Sequence, residues 1–150
     1  MLREILYALA ETPPPPLGGH LESAEAQTRD GRMRVLVVDD ERLIADTLCA
    51  ILNENQFDAE AAHSGPEALE AARKQRPDVV LSDVLMPRMS GVDLAIQLRD
   101  EFPEIRVYLF SGQTATSRLI LQAEERGHHF ELFPKPIHPD ELMARLRHPF

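Results

Sequence analysis

The sequence predicts an α/β domain: a mostly parallel five-stranded sheet, doubly wound, with helices on both faces. Three observations carry that expectation. Five short apolar runs alternate with five stretches of helical periodicity, the signature of repeated strand–helix units. The run before Asp83 is too short for a helix and rich in Val and Leu, so it reads as a strand buried on both faces, as does Val35 to Val38. Polar residues suited to chemistry follow the runs directly, at the carboxyl edge where open α/β sheets bind their ligands.

Taken in order, Val35-Leu36-Val37-Val38 is the first strand, and Asp39-Asp40-Glu41 opens a helix carrying Leu43, Ile44, Leu48, Ile51 and Leu52. Phe57 to Ala62 is a weaker strand. Ser64-Gly65-Pro66-Glu67 starts the second helix, with Ser64 as its cap, Pro66 in its first turn, and Ala68, Leu69 and Ala72 on its apolar face. Pro77 stops that helix before Val79-Val80-Leu81-Ser82-Asp83, an apolar run that ends in one carboxylate and breaks into Met86-Pro87 and Ser90-Gly91. A third helix follows with Val92, Leu94, Ala95, Ile96 and Leu98, and Pro103 closes it off. Arg106 to Phe110 is the fourth strand, ending at Ser111-Gly112, and Thr114 to Arg126 forms a helix before Gly127. Phe130 to Phe133 is the fifth strand, Lys135-Pro136 comes next, and Pro139 to Leu146 is a short closing helix.

Residues 1–32 stand apart, because Pro13-Pro14-Pro15-Pro16 and Gly18-Gly19 fit neither a helix interior nor a central strand. They are expected to be a poorly ordered, Pro-rich extension, with the folded domain in residues 33–150. Leu2, Ile5, Leu6 and Leu9 have helical spacing, but so short a helix is marginal alone. A partner-docking arm and a leader from an upstream start both fit it. The 150 residues, 43% of them apolar, suffice for one good core. A net charge of −9 without a basic patch argues against direct nucleic-acid binding. No apolar stretch approaches the roughly 18 residues of a membrane span, and Met1 to Ala10 lacks the features of a secretory signal. The single cysteine, Cys49, sits in an apolar helical pattern, reads as a small core residue and fits a reducing, cytoplasmic setting.

The alternation brings Asp39 and Asp40, then Asp83, Ser111 and Lys135, from four strands to one crevice. Asp83 alone also fits a simple turn cap. Three carboxylates placed together repel, and a divalent cation relieves them. All-oxygen ligands favour Mg2+, completed by waters and substrate phosphate oxygens. The rival is a structural ion pair from Lys135, which leaves Ser111 at the same rim unexplained. A lysine charge, a serine hydroxyl and Mg2+ together would surround a phosphoryl group, with the aspartate as nucleophile forming an acyl phosphate. The six histidines share no ligand spacing, and acidic pairs such as Asp100-Glu101 and Glu124-Glu125 read as a solvated face.

At these residues the chain resembles the receiver domain of two-component response regulators. Val37-Val38-Asp39-Asp40-Glu41, Asp83 with Met86-Pro87 and Ser90-Gly91, Ser111-Gly112 and Lys135-Pro136 occur in order and at suitable spacing. The resemblance covers about Met33 to Leu146 and implies a flavodoxin-like sheet of strand order 2-1-3-4-5. It implies that Asp83 accepts phosphate from a histidine kinase or histidine phosphotransfer protein. It further implies that Asp40 and Asp83 bind Mg2+ directly, that Asp39 acts through water, and that the Leu85 main-chain carbonyl is the third protein ligand. Ser111 and Lys135 would hold the phosphoryl oxygens, and a cis peptide is expected at Lys135-Pro136. A non-enzymatic signalling role follows, as a monomer or weak dimer. No effector domain is expected within residues 33–150, so the output would reach a protein target through residues 111–146.

Two positions depart from the family. Leu132 stands where a Tyr or Phe usually moves inward with the switch hydroxyl, and Phe133 is a poor substitute because strand alternation turns it to the opposite face, into the core. Leu85 stands where a polar side chain is common. Leu85 also argues against a phosphohydrolase, which typically places a second Asp there as general acid and base. A dinucleotide-binding domain is disfavoured because Val38-Asp39-Asp40-Glu41-Arg42 has no glycine-rich turn. A receiver-like module that binds partners without phosphorylation is the remaining alternative.

Overall fold

The computed structural model describes residues 31–112 and 114–148. Five strands, β1 (Arg34–Val38), β2 (Asp58–Ala62), β3 (Val79–Asp83), β4 (Arg106–Ser111) and β5 (Glu131–Pro134), form one sheet. The helices are α1 (Arg42–Glu54), α2 (Gly65–Lys74), α3 (Gly91–Glu101), α4 (Thr114–Glu125) and α5 (Pro139–Arg147). The strand order is β2-β1-β3-β4-β5, and every pairing is parallel. The expected extension lies outside the described residues up to Asp30, including the Leu2 to Ala10 stretch.

Strand alternation sorts the core into two layers. Val35, Val37, Val79, Leu81, Tyr108, Phe110 and Phe133 pack with α1 and α5, while Leu36, Val38, Val80, Val107 and Leu109 pack with α2, α3 and α4. The central β3 shows why its sequence is continuously apolar, since Val79, Val80 and Leu81 are all fully buried between the two layers. The edge strands differ: β2 is mostly half-buried, and β5 buries only Phe133 fully. An edge strand has one unpaired side, which explains the weaker apolar pattern of both.

Several boundaries move by a residue or two. The first helix begins at Arg42, because Glu41 has extended backbone angles and serves as its cap position. Phe57 is buried but precedes β2, and β5 is shifted by one residue toward Lys135. Leu43 does not belong to the apolar face of α1: it is 66% exposed, whereas Ile44, Leu48, Ile51 and Leu52 are buried at helical spacing. One position of offset turns a side chain by about 100° on a 3.6-residue helix, which carries Leu43 out to the solvent side.

Local chemistry fixes the helix ends. The Ser64 hydroxyl accepts from the Glu67 N–H at 3.2 Å, as its sequence position predicts. A reciprocal capping box starts α3, in which Ser90 Oγ accepts from the Asp93 N–H and the Asp93 carboxylate accepts from the Ser90 N–H. Beyond α4, Gly127 has φ +88° and the His128 N–H reaches back to the Ala123 carbonyl, a left-handed termination that favours glycine. The His138 ring caps α5 by accepting from the Asp140 N–H at 3.1 Å.

Gly91 is constrained by space, because a Cβ there would collide with the main-chain carbonyl of Asp83. Gly65 is also crowded, but by the Met89 side chain, whose flexible thioether can withdraw. Gly91→Ala is therefore expected to lower unfolding stability by about 1–3 kcal/mol, and Gly65→Ala by clearly less. Chemical denaturation of both variants checks the order; equal losses would mean that the Asp83 carbonyl moves as easily as the Met89 side chain.

Candidate functional site

The parallel sheet delivers its polar residues to one end. Asp39 and Asp40 follow β1, Asp83 ends β3, Ser111 ends β4 and Lys135 follows β5. Carboxylate oxygens of Asp39, Asp40 and Asp83 all lie within 4.8 Å of one another. Lys135 Nζ donates to Asp83 Oδ1 at 2.9 Å, and both side chains are largely buried. Ser111 joins through the backbone: its carbonyl accepts from the Lys135 N–H at 3.1 Å, which seats the residue beside the lysine. Leu85 lies two residues past β3 with its side chain 38% exposed. The Lys135-Pro136 peptide is cis.

Backbone bonds hold these positions. The Asp39 N–H donates to the Ala62 carbonyl at 3.1 Å, which pins the end of β1 to β2. The fully buried Ser82 donates its hydroxyl to the Asp83 carbonyl, and the Gly91 N–H donates to the Val84 carbonyl at 2.8 Å. The end of β3 is thereby tied to the start of α3. Neither Ser82 nor the Gly91 contact was visible in the sequence, where Ser82 reads as one more strand residue and Gly91 as part of a turn.

Asp39 is only 6% exposed, and its pKa is pushed up to about 6. Burial is the largest cause; the Glu41 N–H bond opposes it, the Asp83 charge adds to it, Lys135 opposes it and Asp40 adds a little. A divalent cation would reverse that balance. Mg2+ demands oxygen ligands about 2.1 Å away, so its ligand oxygens lie no more than about 4.2 Å apart, and the three acids approach that span. The all-oxygen donor set fits Mg2+ and does not fit softer metals.

The response regulator receiver domain model matches residues 35–147. The chain belongs to the response regulator receiver family. Response regulator MprA of Mycobacterium avium is 34% identical over 115 residues, covering 77% of this chain and 50% of that protein. The chain thus spans about half the length of the curated relatives it matches. Among solved structures, a receiver domain protein from Clostridium thermocellum superposes with a TM-score of 0.68 at 26% identity, covering 77% of this chain and 91% of that one. Chemotaxis response regulator CheY4 of Vibrio cholerae gives 0.66 at 28% identity, with 77% and 97% covered. The flavodoxin-like order of this receiver domain is therefore as its sequence resemblance implies. Receiver domains serve two-component signalling, and phosphorylation and Mg2+ are typical of them. Among the described residues, no helix is long and apolar enough to cross a membrane.

The raised pKa of Asp39 sets a pH dependence for the cation-free domain. A carboxylate whose folded pKa exceeds its unfolded value, here about 6 against 3.8, destabilises the fold above the folded pKa, and the penalty vanishes as pH falls through 6 toward 3.8. In chelator, Asp39→Asn is expected to raise stability at pH 7 by up to about 3 kcal/mol, a gain that shrinks by pH 4. Denaturant titrations at the two pH values measure it; a gain independent of pH would show that ionisation of Asp39 is not its source.

Proposed function

We propose that this receiver domain accepts a phosphoryl group on Asp83 from a histidine kinase or histidine phosphotransfer protein and passes the signal to a protein partner. The observation that carries this reading is the single edge at which Asp39, Asp40 and Asp83 cluster while Lys135 contacts Asp83 at 2.9 Å. Asp40 and Asp83, with the Leu85 carbonyl, would hold Mg2+ directly, and Asp39 through water. When bound, Mg2+ neutralises the acid cluster and the negative charge of the incoming phosphoryl group. An Asp83 carboxylate oxygen attacks phosphorus, and the bond from phosphorus to the donor histidine nitrogen breaks, leaving that imidazole to take the electron pair. The Lys135 ammonium then turns from the carboxylate to the phosphoryl oxygens, and the Ser111 hydroxyl donates to another.

Folding and chemistry are assigned to residues 33–150, and residues 1–32 to an extension. Met33 already contributes to the fold, since its carbonyl accepts from the Asp58 N–H at 2.9 Å. Residues 111–146 are proposed as the output region, supported by Leu121 and Leu132, which are large, apolar and exposed. The reading is of a signalling domain, not an enzyme. A cytoplasmic setting is proposed, supported by the buried free thiol of Cys49.

Incubation with acetyl phosphate and Mg2+ is expected to add the mass of one phosphoryl group to the intact chain. Asp83→Asn should lose it. Asp78→Asn should keep it, because Asp78 accepts from the Arg34 N–H where β1 begins and takes no part in the cluster. Undiminished labelling of Asp83→Asn would overturn the assignment, and labelling in excess EDTA would remove the role given to Mg2+. A chain starting at Met33 is expected to label equally and to keep its stability within about 1 kcal/mol of a domain total of roughly 5 to 15. A thermal melt decides that point, and a loss of several kcal/mol would mean that the extension packs on the domain.

A further inference from the structure

On the α4 side of the sheet, a leucine, Leu132, stands where the family usually carries the ring that moves with the switch hydroxyl. Leu132 pairs in register with Leu109, which belongs to the α2–α3–α4 layer, and Leu132 is 37% exposed. The opposite layer is built differently. Phe110 immediately precedes Ser111, pairs in register with Asp83 on β3 and with Phe133 on β5, and packs toward α1 and α5. Its ring centroid lies 5.8 Å from that of Phe133, and Phe133 stacks on Tyr108 at 4.7 Å.

Cations contact two of the three rings, Phe110 at one end and Phe133 in the middle. Lys135 Nζ, which holds Asp83 at 2.9 Å, sits 5.9 Å from the Phe110 centroid. The Arg145 guanidinium of α5 lies 4.5 Å over the Phe133 ring. Beside Phe110 there is slack: a cavity of about 20 Å3, room for about one water, lies between Lys135, Ile44 and Leu48 of α1, and Ile137, Pro139 and Leu142 at α5. A space of that size lets a ring beside it resettle without displacing the sheet.

We infer that phosphorylation of Asp83 is transmitted to α5 through the column Lys135–Phe110–Phe133–Arg145, so that α5 and not α4 is the principal responding element. The inference rests on the phosphoacceptor reading above. Phosphorylation adds charge and oxygens at the Asp83 carboxylate. Lys135 must leave Oδ1 to reach them, which moves its ammonium relative to the Phe110 ring. Phe110 moves into the cavity, Phe133 follows through the ring contact, and the cation seated on Phe133 shifts with it. A packed layer answers such a displacement by a discrete rearrangement, and the part of this layer next to the Phe133–Arg145 contact is α5.

The test uses the full chain, acetyl phosphate and Mg2+, with intact mass to count phosphoryl groups and amide exchange to follow residues 139–147 and 114–125. In the labelled wild type, exchange in residues 139–147 is expected to change by about fivefold or more, the lower range of ordinary allosteric couplings, and by more than in residues 114–125. Arg145→Gln and Phe110→Leu should take the label as the wild type does but lose most of the α5 response. Arg145→Gln leaves every core ring in place and decides the matter if Phe110→Leu fails to fold. Labelled wild type with α5 unchanged, or Arg145→Gln with a full α5 response, overturns the inference and leaves the phosphoacceptor reading intact. Absence of label on the wild type overturns both.

Discussion

Like charges gathered at one point govern this domain. Three carboxylates within 4.8 Å of one another repel, and solvent screens that repulsion least at Asp39, the buried one of the three. Lys135 is the protein's own partial answer, held at 2.9 Å from Asp83 with both groups largely out of solvent. The answer is incomplete: burial above all, with the Asp83 charge adding to it, still holds the Asp39 pKa up. An acidic pocket with too little positive charge is receptive to a divalent cation, and the phosphoacceptor role proposed for Asp83 follows from that receptivity.

Such a cluster requires backbone that does not give way. The end of β1 is bonded to β2 through Asp39 and Ala62, and the end of β3 is bonded forward to α3 through Gly91 and Val84. The missing Cβ of Gly91 lets α3 begin against the Asp83 carbonyl, and the capping box of Ser90 and Asp93 fixes that beginning. These features carry no chemistry of their own. They hold a buried strand end, with its unfavourable charge, where it is.

The two faces of the sheet are not equivalent. Phe110, Phe133 and Tyr108 form a contiguous ring stack toward α1 and α5, while Leu109 and the exposed Leu132 occupy the corresponding positions toward α4. Alternation along β4 and β5 produces this asymmetry, because neighbours in sequence turn to opposite layers. A domain with its contiguous ring stack on one side has unequal means of passing a displacement to its helices. The same sheet order can thus serve different routes from site to surface.

By itself the sequence determined the number and order of the elements, the parallel sheet and the candidate site. Five strand-like runs alternating with helical periods admit few other architectures, and Asp39, Asp40, Asp83, Ser111 and Lys135 each close or closely follow one of them. Periodicity does not resolve element ends, so Phe57, Phe130 and the start of α1 fell on the wrong side of a boundary. Nor does it resolve which of two adjacent leucine-like residues faces inward, as Leu43 and Ile44 show. Tertiary structure alone decided the Lys135–Asp83 contact, the shift of the Asp39 pKa, the crowding at Gly91, and the ring column with its cavity beneath Lys135. Each depends on distances between residues far apart in the chain, and those distances exist only once the strands have paired and the helices have closed over them.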